Sequence, residues 1–274
     1  MNPTQREERS EQESDVPRPS GAALSQAEIN LAHYGEPAAG RSDYWRLMAA
    51  PRFRTATILR SLAEENPSRI LDIGCGDGTL LSEIHERMPA AQLAGLDLSP
   101  GQIAENRLLR PTIEWIAGPA ETLQETVPAG RYNAVVASEL IEHLADPEGF
   151  LRNVRSIIAP GGLLVLSTQS GRVGETERRV GHLRHFTSEE MKRFLVAAGW
   201  QPVRVWNAGF PFQDLSKYLA NLAPDYSMHH FGERPYGLKE RLASLILRIL
   251  FRFNSQRRGA QLFAIARNGT GGIA

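Results

Sequence analysis

ILDIGCGDG, the stretch from residue 70 to residue 78, decides the fold of this chain. A short apolar run is followed at once by three glycines, at positions 74, 76 and 78. A buried strand that ends in such a loop lets the backbone turn tightly and approach a ligand closely. GLDLS, residues 95–99, follows as a second apolar run and contains Asp97. Together they predict a ligand site at the carboxyl ends of parallel strands.

Short apolar runs alternate with amphipathic stretches from residue 67 onwards. We predict strands at residues 68–73, 91–98, 112–117, 132–138, 163–168, 201–207 and 261–267. We predict helices over residues 79–88, after Ser99-Pro100, from Pro147 to about residue 159, and after Thr187. The third of these should be stopped by Pro160-Gly161-Gly162. This alternation predicts an α/β fold with a seven-stranded, mostly parallel, Rossmann-like sheet and helices on both faces.

The chain divides into four parts by composition. Residues 1–22 are polar, with five acidic residues against three arginines, and are predicted to be a disordered tail. Residues 23–66 form a helical arm. The core occupies residues 67–207 and 261–268. Residues 208–260 are too long for an ordinary loop, so we predict a helical insertion that serves the acceptor side as a lid or association element.

Overall composition excludes several classes of protein. The 274 residues carry 31 Lys and Arg against 31 Asp and Glu, so no basic field covers the whole chain, as nucleic-acid binding would favour. Cys75 is the one cysteine, which excludes a disulfide framework and a cysteine zinc cluster. The N-terminal residues contain no apolar run, which predicts no signal peptide, and no stretch of about 18 apolar residues could span a membrane. We expect a cytoplasmic enzyme.

The charge of the glycine loop indicates which ligand it binds. Asp72 and Asp77 flank the loop and would repel a pyrophosphate, and Thr79 stands where the dinucleotide pattern G-x-G-x-x-G needs its last glycine. A nicotinamide dehydrogenase is therefore disfavoured. S-adenosylmethionine carries a sulfonium and an ammonium group, which these carboxylates would attract. Asp97 lies 19 residues after Gly78, the usual spacing for a carboxylate that binds ribose hydroxyls.

Four stretches, in this order along the chain, resemble one family: ILDIGCGDG, GLDLS, YNAVVASELIEHLADP and PGGLLVLSTQS. They are similar to the class I (Rossmann-like) S-adenosylmethionine-dependent methyltransferases, and nearest in motif to the ubiquinone-pathway-type O-methyltransferases. The resemblance covers about residues 55–205, and it implies the methyltransferase form of the sheet.

The resemblance also implies which residues bind the cofactor. The methionine part would be held by the loop, through Asp72, Gly74, Cys75, Gly76 and Gly78. Asp97 would bind the ribose, Leu98 would flank the adenine, and Ser138 would line the site from the fourth strand. Pro119 stands where the family often carries an acidic residue near the adenine, so that contact would come from the Ala120 backbone or from Glu121. Arg54 resembles the arginine that pairs with the cofactor carboxylate, the alternative being a solvated helix charge.

Glu139, Glu142 and His143 form a Glu-x-x-Glu-His segment after the fourth strand. If this segment is helical, its spacing places all three side chains on one face. His143 could then act as a general base, or the three could hold a divalent cation such as Mg²⁺ that activates a hydroxyl. The segment resembles metal-binding positions of ubiquinone-pathway and small-RNA 2′-O-methyltransferases. His182 is a further candidate ligand, with His185 beside it. The alternative is that these residues only shape a loop.

The insertion contains an amphipathic helix, residues 238–253. Its apolar residues follow helical spacing along one stripe: Leu238, Leu242, Leu245, Ile246, Ile249, Leu250 and Phe253. Between residues 230 and 267, eight basic residues stand against two acidic ones. Such a stripe must be buried against something, so we expect a core contact, a homodimer interface or peripheral contact with an anionic inner membrane.

The function favoured by these patterns is an S-adenosylmethionine-dependent methyltransferase. Its acceptor would be a small-molecule hydroxyl, as in a sugar, a phenol, or a quinone or natural-product precursor. One alternative is an RNA terminal-ribose 2′-O-methyltransferase, although only the insertion supplies local positive charge. A second alternative is a non-catalytic S-adenosylmethionine-binding protein.

Overall fold

A computed structural model describes residue 30, residues 41–232 and residues 235–269 of the chain. The predicted disordered tail lies outside the described residues. Seven strands are present: β1 (Arg69–Ile73), β2 (Gln92–Asp97), β3 (Glu114–Ala117), β4 (Tyr132–Ser138), β5 (Ile158–Gln169), β6 (Trp200–Ala208) and β7 (Gln261–Asn268). The helices are α1 (Arg41–Leu47), α2 (Ala49–Glu65), α3 (Thr79–Arg87), α4 (Pro100–Leu109), α5 (Pro147–Ile157), α6 (Glu175–Arg179), α7 (Ser188–Ala197), α8 (Phe212–Leu222), α9 (Pro224–Ser227) and α10 (Leu238–Phe251).

The strands form one sheet in the order β3-β2-β1-β4-β5-β7-β6. Neighbours from β3 to β5 are parallel, whereas β7 runs antiparallel to both β5 and β6. The prediction of a seven-stranded, mostly parallel sheet is therefore confirmed. Because β1 lies between β2 and β4, the loops that follow these three strands meet at one edge of the sheet.

Apolar side chains are buried on both faces of the sheet. On one face α5 and α7 bury Phe150, Leu151 and Leu195, and on the other α2 and α3 bury Leu62 and Leu81. Each of these side chains is at most 1% exposed. Helices on both faces of the sheet were expected, and this packing holds the strand ends of the site in fixed positions.

The capping residues predicted from the sequence begin and end their helices as expected. Thr187 caps α7 with a full capping box, in which its side chain and that of Glu190 each accept a backbone N–H. Ser99 accepts from the backbone N–H of Gln102 at 3.1 Å, at the start of α4. Gly199, with φ of +83°, takes the left-handed conformation after α7 that favours glycine.

The boundary between α5 and β5 differs from the prediction. Pro160-Gly161-Gly162 was expected to stop the helix, but α5 already ends at Ile157 and the three residues lie inside β5. The register between β4 and β5 shifts between Tyr132 and Ala134, opposite this segment. Gly161 has φ of +76° there, so the glycine accommodates an irregularity of the strand rather than a helix end.

The segment between β6 and β7 carries structure of its own. It contains α8, α9, a π-helical turn at Met228–Gly232 and α10. α10 packs on α2 and α8, beside the sheet. None of the described helices has both the length and the apolar character needed to cross a bilayer.

Candidate active site

The loop between β1 and α3 is built on three glycines in the left-handed region. Gly74, Gly76 and Gly78 have φ of +73°, +49° and +71°. A Cβ on Gly78 would lie 2.6 Å from the ring of Trp115, so that position has no room for a side chain. A Cβ on Gly76 would meet no described atom within 4 Å, which leaves this part of the loop backbone open to a ligand.

Two carboxyl groups stand at the loop, Asp72 buried and Asp97 half-buried. Asp97 accepts from the Gly76 backbone N–H at 2.8 Å through Oδ2 and from the Ser99 N–H at 3.0 Å through Oδ1. Burial raises the pKa of Asp97, although these backbone N–H groups oppose the shift. Burial, and then the charge of Asp97, raise the pKa of Asp72 well above its usual value. A cationic ligand would relieve both effects, as the sequence argument for a sulfonium compound requires.

The remaining predicted cofactor residues lie at the ends of neighbouring strands. Leu98 follows β2 and is half-buried, and Ala120 is buried at the start of a 3₁₀-helix (Ala120–Glu125) after β3. Ser138 ends β4, with its Oγ 2.8 Å from the Oγ of Ser167. Cys75 is buried inside the loop, and burial raises the pKa of its thiol well above the usual value. Their cofactor contacts remain predictions.

The Glu-x-x-Glu-His segment touches the glycine loop but is not one helix. A Cβ on Gly74 would lie 3.2 Å from the side chain of Leu140, so the two loops are in contact. Only Ile141–His143 forms a short 3₁₀-helix, and Glu139 has φ of +52°. The condition for Glu139, Glu142 and His143 to share one helix face is therefore not met, because Glu139 lies before the short helix in the left-handed conformation.

Glu139 belongs to a buried polar network with the N-terminal arm and β7. Its Oε2 lies 3.8 Å from Nη1 of Arg54, and both side chains are less than 10% exposed. Gln261 donates to Glu139 Oε1 at 2.8 Å and Gln169 donates to Oε2 at 3.2 Å. Burial raises the pKa of Glu139, but Arg54 and these amides outweigh it, so the net shift is downwards. Arg54 is not a solvated charge, and its proposed contact with the cofactor carboxylate remains a prediction.

Replacing Arg54 by methionine should lower the free energy of unfolding by about 3–5 kcal/mol at neutral pH, because it leaves Glu139 buried without its cation. The wild-type pair stabilises the fold above the unfolded pKa of Glu139, and this stability is lost as pH falls through the depressed folded pKa. In Arg54→Met, protonation of Glu139 relieves the penalty. Denaturant titrations should therefore show a deficit that narrows as pH falls. A deficit that is constant with pH would contradict the ion pair.

Glu142, His143 and His182 form a buried cluster beside this network. Each offers one ligand atom, and these atoms all lie within 4.8 Å of one another. Glu142 Oε2 accepts from Thr168 Oγ1 at 2.8 Å, whereas its Oε1 is buried without a hydrogen-bond partner among the described residues. His182 Nδ1 lies 3.0 Å from Nε2 of His185. The predicted metal set of Glu139, Glu142, His143 and His182 thus comes together in three of its four members.

Burial controls the charge of this cluster. Burial, and then the Glu139 carboxylate, raise the pKa of Glu142 well above its usual value. Burial, and then the positive charge that His143 can carry, lower the pKa of His182 to about 3. His182 is therefore a neutral imidazole at pH 7. A neutral imidazole is the form that binds a divalent cation, whereas the raised pKa of Glu142 favours its protonated form, so cation binding there would have to release that proton.

Some residues of the network were not singled out by the sequence. Thr168 and Gln169 end β5, within the quoted stretch PGGLLVLSTQS, and their position at a strand end was the available signal. Gln261 begins β7 and also donates to the Thr168 carbonyl at 2.8 Å. Lys217 of α8 donates to Gln169 Oε1 at 2.5 Å and pairs with Glu177 at 3.2 Å. Lys217 lies on a helix of the insertion and not at the end of a predicted strand, so its position in the sequence did not mark it as a site residue.

The sheet order, the glycine loop and the acidic strand end define the class: a Rossmann-like S-adenosylmethionine-dependent methyltransferase fold. The family described as "Methyltransferase domain" matches residues 44–205, more than half of the chain. The chain belongs to this family. A ubiquinone biosynthesis O-methyltransferase of Bradyrhizobium sp. is 40% identical over 130 residues, which is 47% of this chain and 49% of that protein. The chain thus spans about half the length of the curated relatives it matches.

Solved structures share the fold. The N-methyltransferase NodS from Bradyrhizobium japonicum, in complex with S-adenosyl-L-homocysteine, has a TM-score of 0.53 and 18% identity, with 89% of this chain and 98% of that chain covered. The [4+2]-cyclase SpnF has a TM-score of 0.54 and 19% identity, with 78% and 82% covered. Because proteins of different chemistry share the fold, the reaction has to be argued from the site.

Proposed function

We propose that the chain transfers the methyl group of S-adenosylmethionine to a hydroxyl oxygen of a small molecule. One observation carries the proposal: Glu142 and His143, which cluster with His182, lie in the segment that touches the glycine loop where Leu140 meets Gly74. A hydroxyl is a weak nucleophile that must lose its proton, and this cluster holds groups that can take or bind it. The identity to a ubiquinone biosynthesis O-methyltransferase supports an oxygen acceptor.

The transfer is an in-line displacement at the methyl carbon. The bond between the acceptor oxygen and the methyl carbon forms as the bond from sulfur to that carbon breaks, and the neutral thioether leaves. Where no cation occupies the cluster, the hydroxyl proton passes to an imidazole nitrogen of His143; a cation bound by His143 would replace this role. Asp72 and Asp97 balance the positive cofactor, and the buried site aligns the acceptor and excludes water.

A divalent cation would fit the same cluster. Glu142, through its unpartnered Oε1, and the imidazoles of His143 and His182 would hold it, while His185 would fix the ring of His182. Such a cation lowers the pKa of a hydroxyl bound to it. Two imidazoles and one carboxylate suit Mn²⁺, Co²⁺ or Zn²⁺ better than Mg²⁺, which prefers oxygen ligands. We therefore propose a transition ion in place of Mg²⁺.

Activity measurements on defined acceptors test the proposed reaction. The full chain is incubated with methyl-labelled S-adenosylmethionine and with phenols, catechols and sugars, each beside an analogue whose hydroxyl is already methylated. We expect a labelled methyl ether from at least one hydroxyl compound and none from its blocked analogue. Transfer to amines, with every hydroxyl left unmodified, would contradict the proposal.

Removing a bound cation with a chelator tests whether the cluster works through a metal. If the cation activates the acceptor, a chelator should reduce kcat by about 10²-fold or more, and Mn²⁺ or Co²⁺ should restore it better than Mg²⁺. His182→Ala should abolish this restoration, whereas His85→Ala, at an exposed histidine of α3, should keep it. Full activity of the chelated wild type would contradict the metal and leave His143 as the base.

A further inference from the structure

α10 presents an apolar stripe to the outside of the molecule. Six residues on the helix and in the turn after it are 48–85% exposed: Leu238, Leu242, Leu245, Ile246, Ile249 and Phe253. At 3.6 residues per turn their spacing places all six on one side. The opposite side is buried, where Phe251 packs edge-to-face on Phe53 of α2 with ring centroids 6.4 Å apart. Among the described residues a different face of the helix makes the core contacts, so the core option for the stripe is not seen, and contact with a second copy or a membrane remains a prediction.

Arginines line one edge of this stripe. Arg241, Arg248 and Arg252 are separated by seven and four residues, so they form a row along the helix, and all three are exposed. Residues 235–258 contain six basic residues and one acidic residue, Glu240. That acidic group is not on the outer side, because its Oε1 lies 3.3 Å from Nδ1 of His230. The outer side of α10 is therefore apolar and positively charged.

Two further arginines lie on neighbouring helices, Arg52 on α2 and Arg87 on α3. Burial, and then the charges of Arg248 and Arg87, lower the pKa of Arg52, which shows that these cations lie near one another. Arg52 itself pairs with Glu83. α8, which packs against α10, adds a second apolar stripe of residues that are 52–63% exposed: Leu215, Tyr218, Leu219 and Leu222. Two adjacent helices thus leave apolar side chains uncovered by the described residues.

We propose that this face, α10 with its arginine row and the stripe of α8, docks on the surface of an anionic lipid bilayer. An apolar stripe beside cations matches an interface in which acyl chains lie below negative headgroups. A second copy of the chain fits less well, since antiparallel pairing of the stripes would bring two arginine rows together, and Glu240, the one acidic residue of 235–258, does not lie on this side to meet them. The proposal does not depend on the methyl acceptor, because it concerns a surface outside the cofactor loops.

Vesicle co-sedimentation of the full chain tests this. We compare phosphatidylcholine vesicles with vesicles in which phosphatidylglycerol replaces part of the lipid, at low and high salt. The wild type should bind the anionic vesicles and lose this binding as salt rises. Each basic residue near such a surface is worth about 1 kcal/mol, so Arg248→Gln/Arg252→Gln should bind about 25-fold more weakly. Leu242→Ser/Ile249→Ser should bind about tenfold more weakly or worse.

Leu108→Ser/Leu109→Ser is the matched control, because these leucines are 83% and 64% exposed on α4, outside the proposed face. It should bind as the wild type does. Every substituted side chain is exposed, so the variants should keep their fold, which circular dichroism checks. Absence of vesicle binding at low salt would overturn the proposal, as would equal binding by the arginine variant. A concentration-dependent dimer that ignores vesicles would assign the face to a second copy.

Discussion

Replacing His143 by alanine is expected to lower kcat by about 10²- to 10⁴-fold and to leave the Kd for S-adenosylmethionine unchanged. The imidazole is buried in the cluster with Glu142 and His182, whereas the glycine loop contacts this segment at Leu140. Loss of the ring removes the proton acceptor or metal ligand but none of the predicted cofactor contacts. Steady-state assays with an acceptor found in the labelling experiment give kcat, and calorimetry gives the cofactor Kd.

His143→Gln and His85→Ala complete this test. Glutamine keeps a hydrogen-bonding side chain of similar length but cannot act as an imidazole base, so it should be as inactive as alanine if proton transfer matters. His85 is an exposed histidine on α3, and its loss should leave kcat unchanged. A matching loss of cofactor affinity in His143→Ala would contradict the assignment and indicate that the segment only shapes the cofactor loop.

Features that depend on local sequence were predictable. β4 begins and ends at the predicted residues 132 and 138, and the capping box at Thr187 is present. The glycine loop was equally predictable, because three left-handed residues need glycine wherever the rest of the chain lies. Neighbouring strand ends then follow from the sheet order, which brought Asp97 to the loop at Gly76.

Features that depend on distant partners were not predictable. Glu139 looked like a member of a helical Glu-x-x-Glu-His face, but its partners are Arg54 on the arm and Gln261 on the last strand. Residue spacing cannot show that Glu139 has φ of +52°. Nor can it show that its side chain meets Arg54 and Gln261, which are 85 and 122 residues away along the chain. The same applies to α10, whose composition predicted an apolar contact but not which of its two faces makes it.

The glycine loop and the cluster of Glu142, His143 and His182 have different proposed roles: the loop binds the cofactor, and the cluster acts on the acceptor. Asp72 and Asp97 lie where β1 and β2 end, and their raised pKa values favour a cationic cofactor there. Glu142 and His182 lie after β4 and β5, where burial disfavours charge on both. Burial thus makes Glu142 and His182 poor proton acceptors at neutral pH, and the proposed proton acceptor is His143. Affinity and turnover should therefore respond to different substitutions.

Replacing Asp97 by asparagine should weaken S-adenosylmethionine binding roughly ten- to hundredfold, because a charge-assisted hydrogen bond to a buried hydroxyl pair is worth about 1.5–3 kcal/mol. Asparagine keeps one oxygen that can accept from the Gly76 N–H, so the loop retains support that alanine would remove. Calorimetry with the purified chain measures the change. Glu86→Gln is the matched control, because Glu86 is an exposed carboxylate on α3 and is not a predicted cofactor residue.

Comparison of S-adenosylmethionine with S-adenosylhomocysteine separates a ribose contact from a charge effect. Both ligands carry the same ribose, but only the first carries the sulfonium. If Asp97 binds the ribose hydroxyls, Asp97→Asn should weaken both ligands by the same factor. If the carboxylate acts only through the positive charge of the cofactor, the loss should be confined largely to S-adenosylmethionine. Unchanged affinity for both ligands would remove Asp97 from the site and leave the cofactor to the glycine loop.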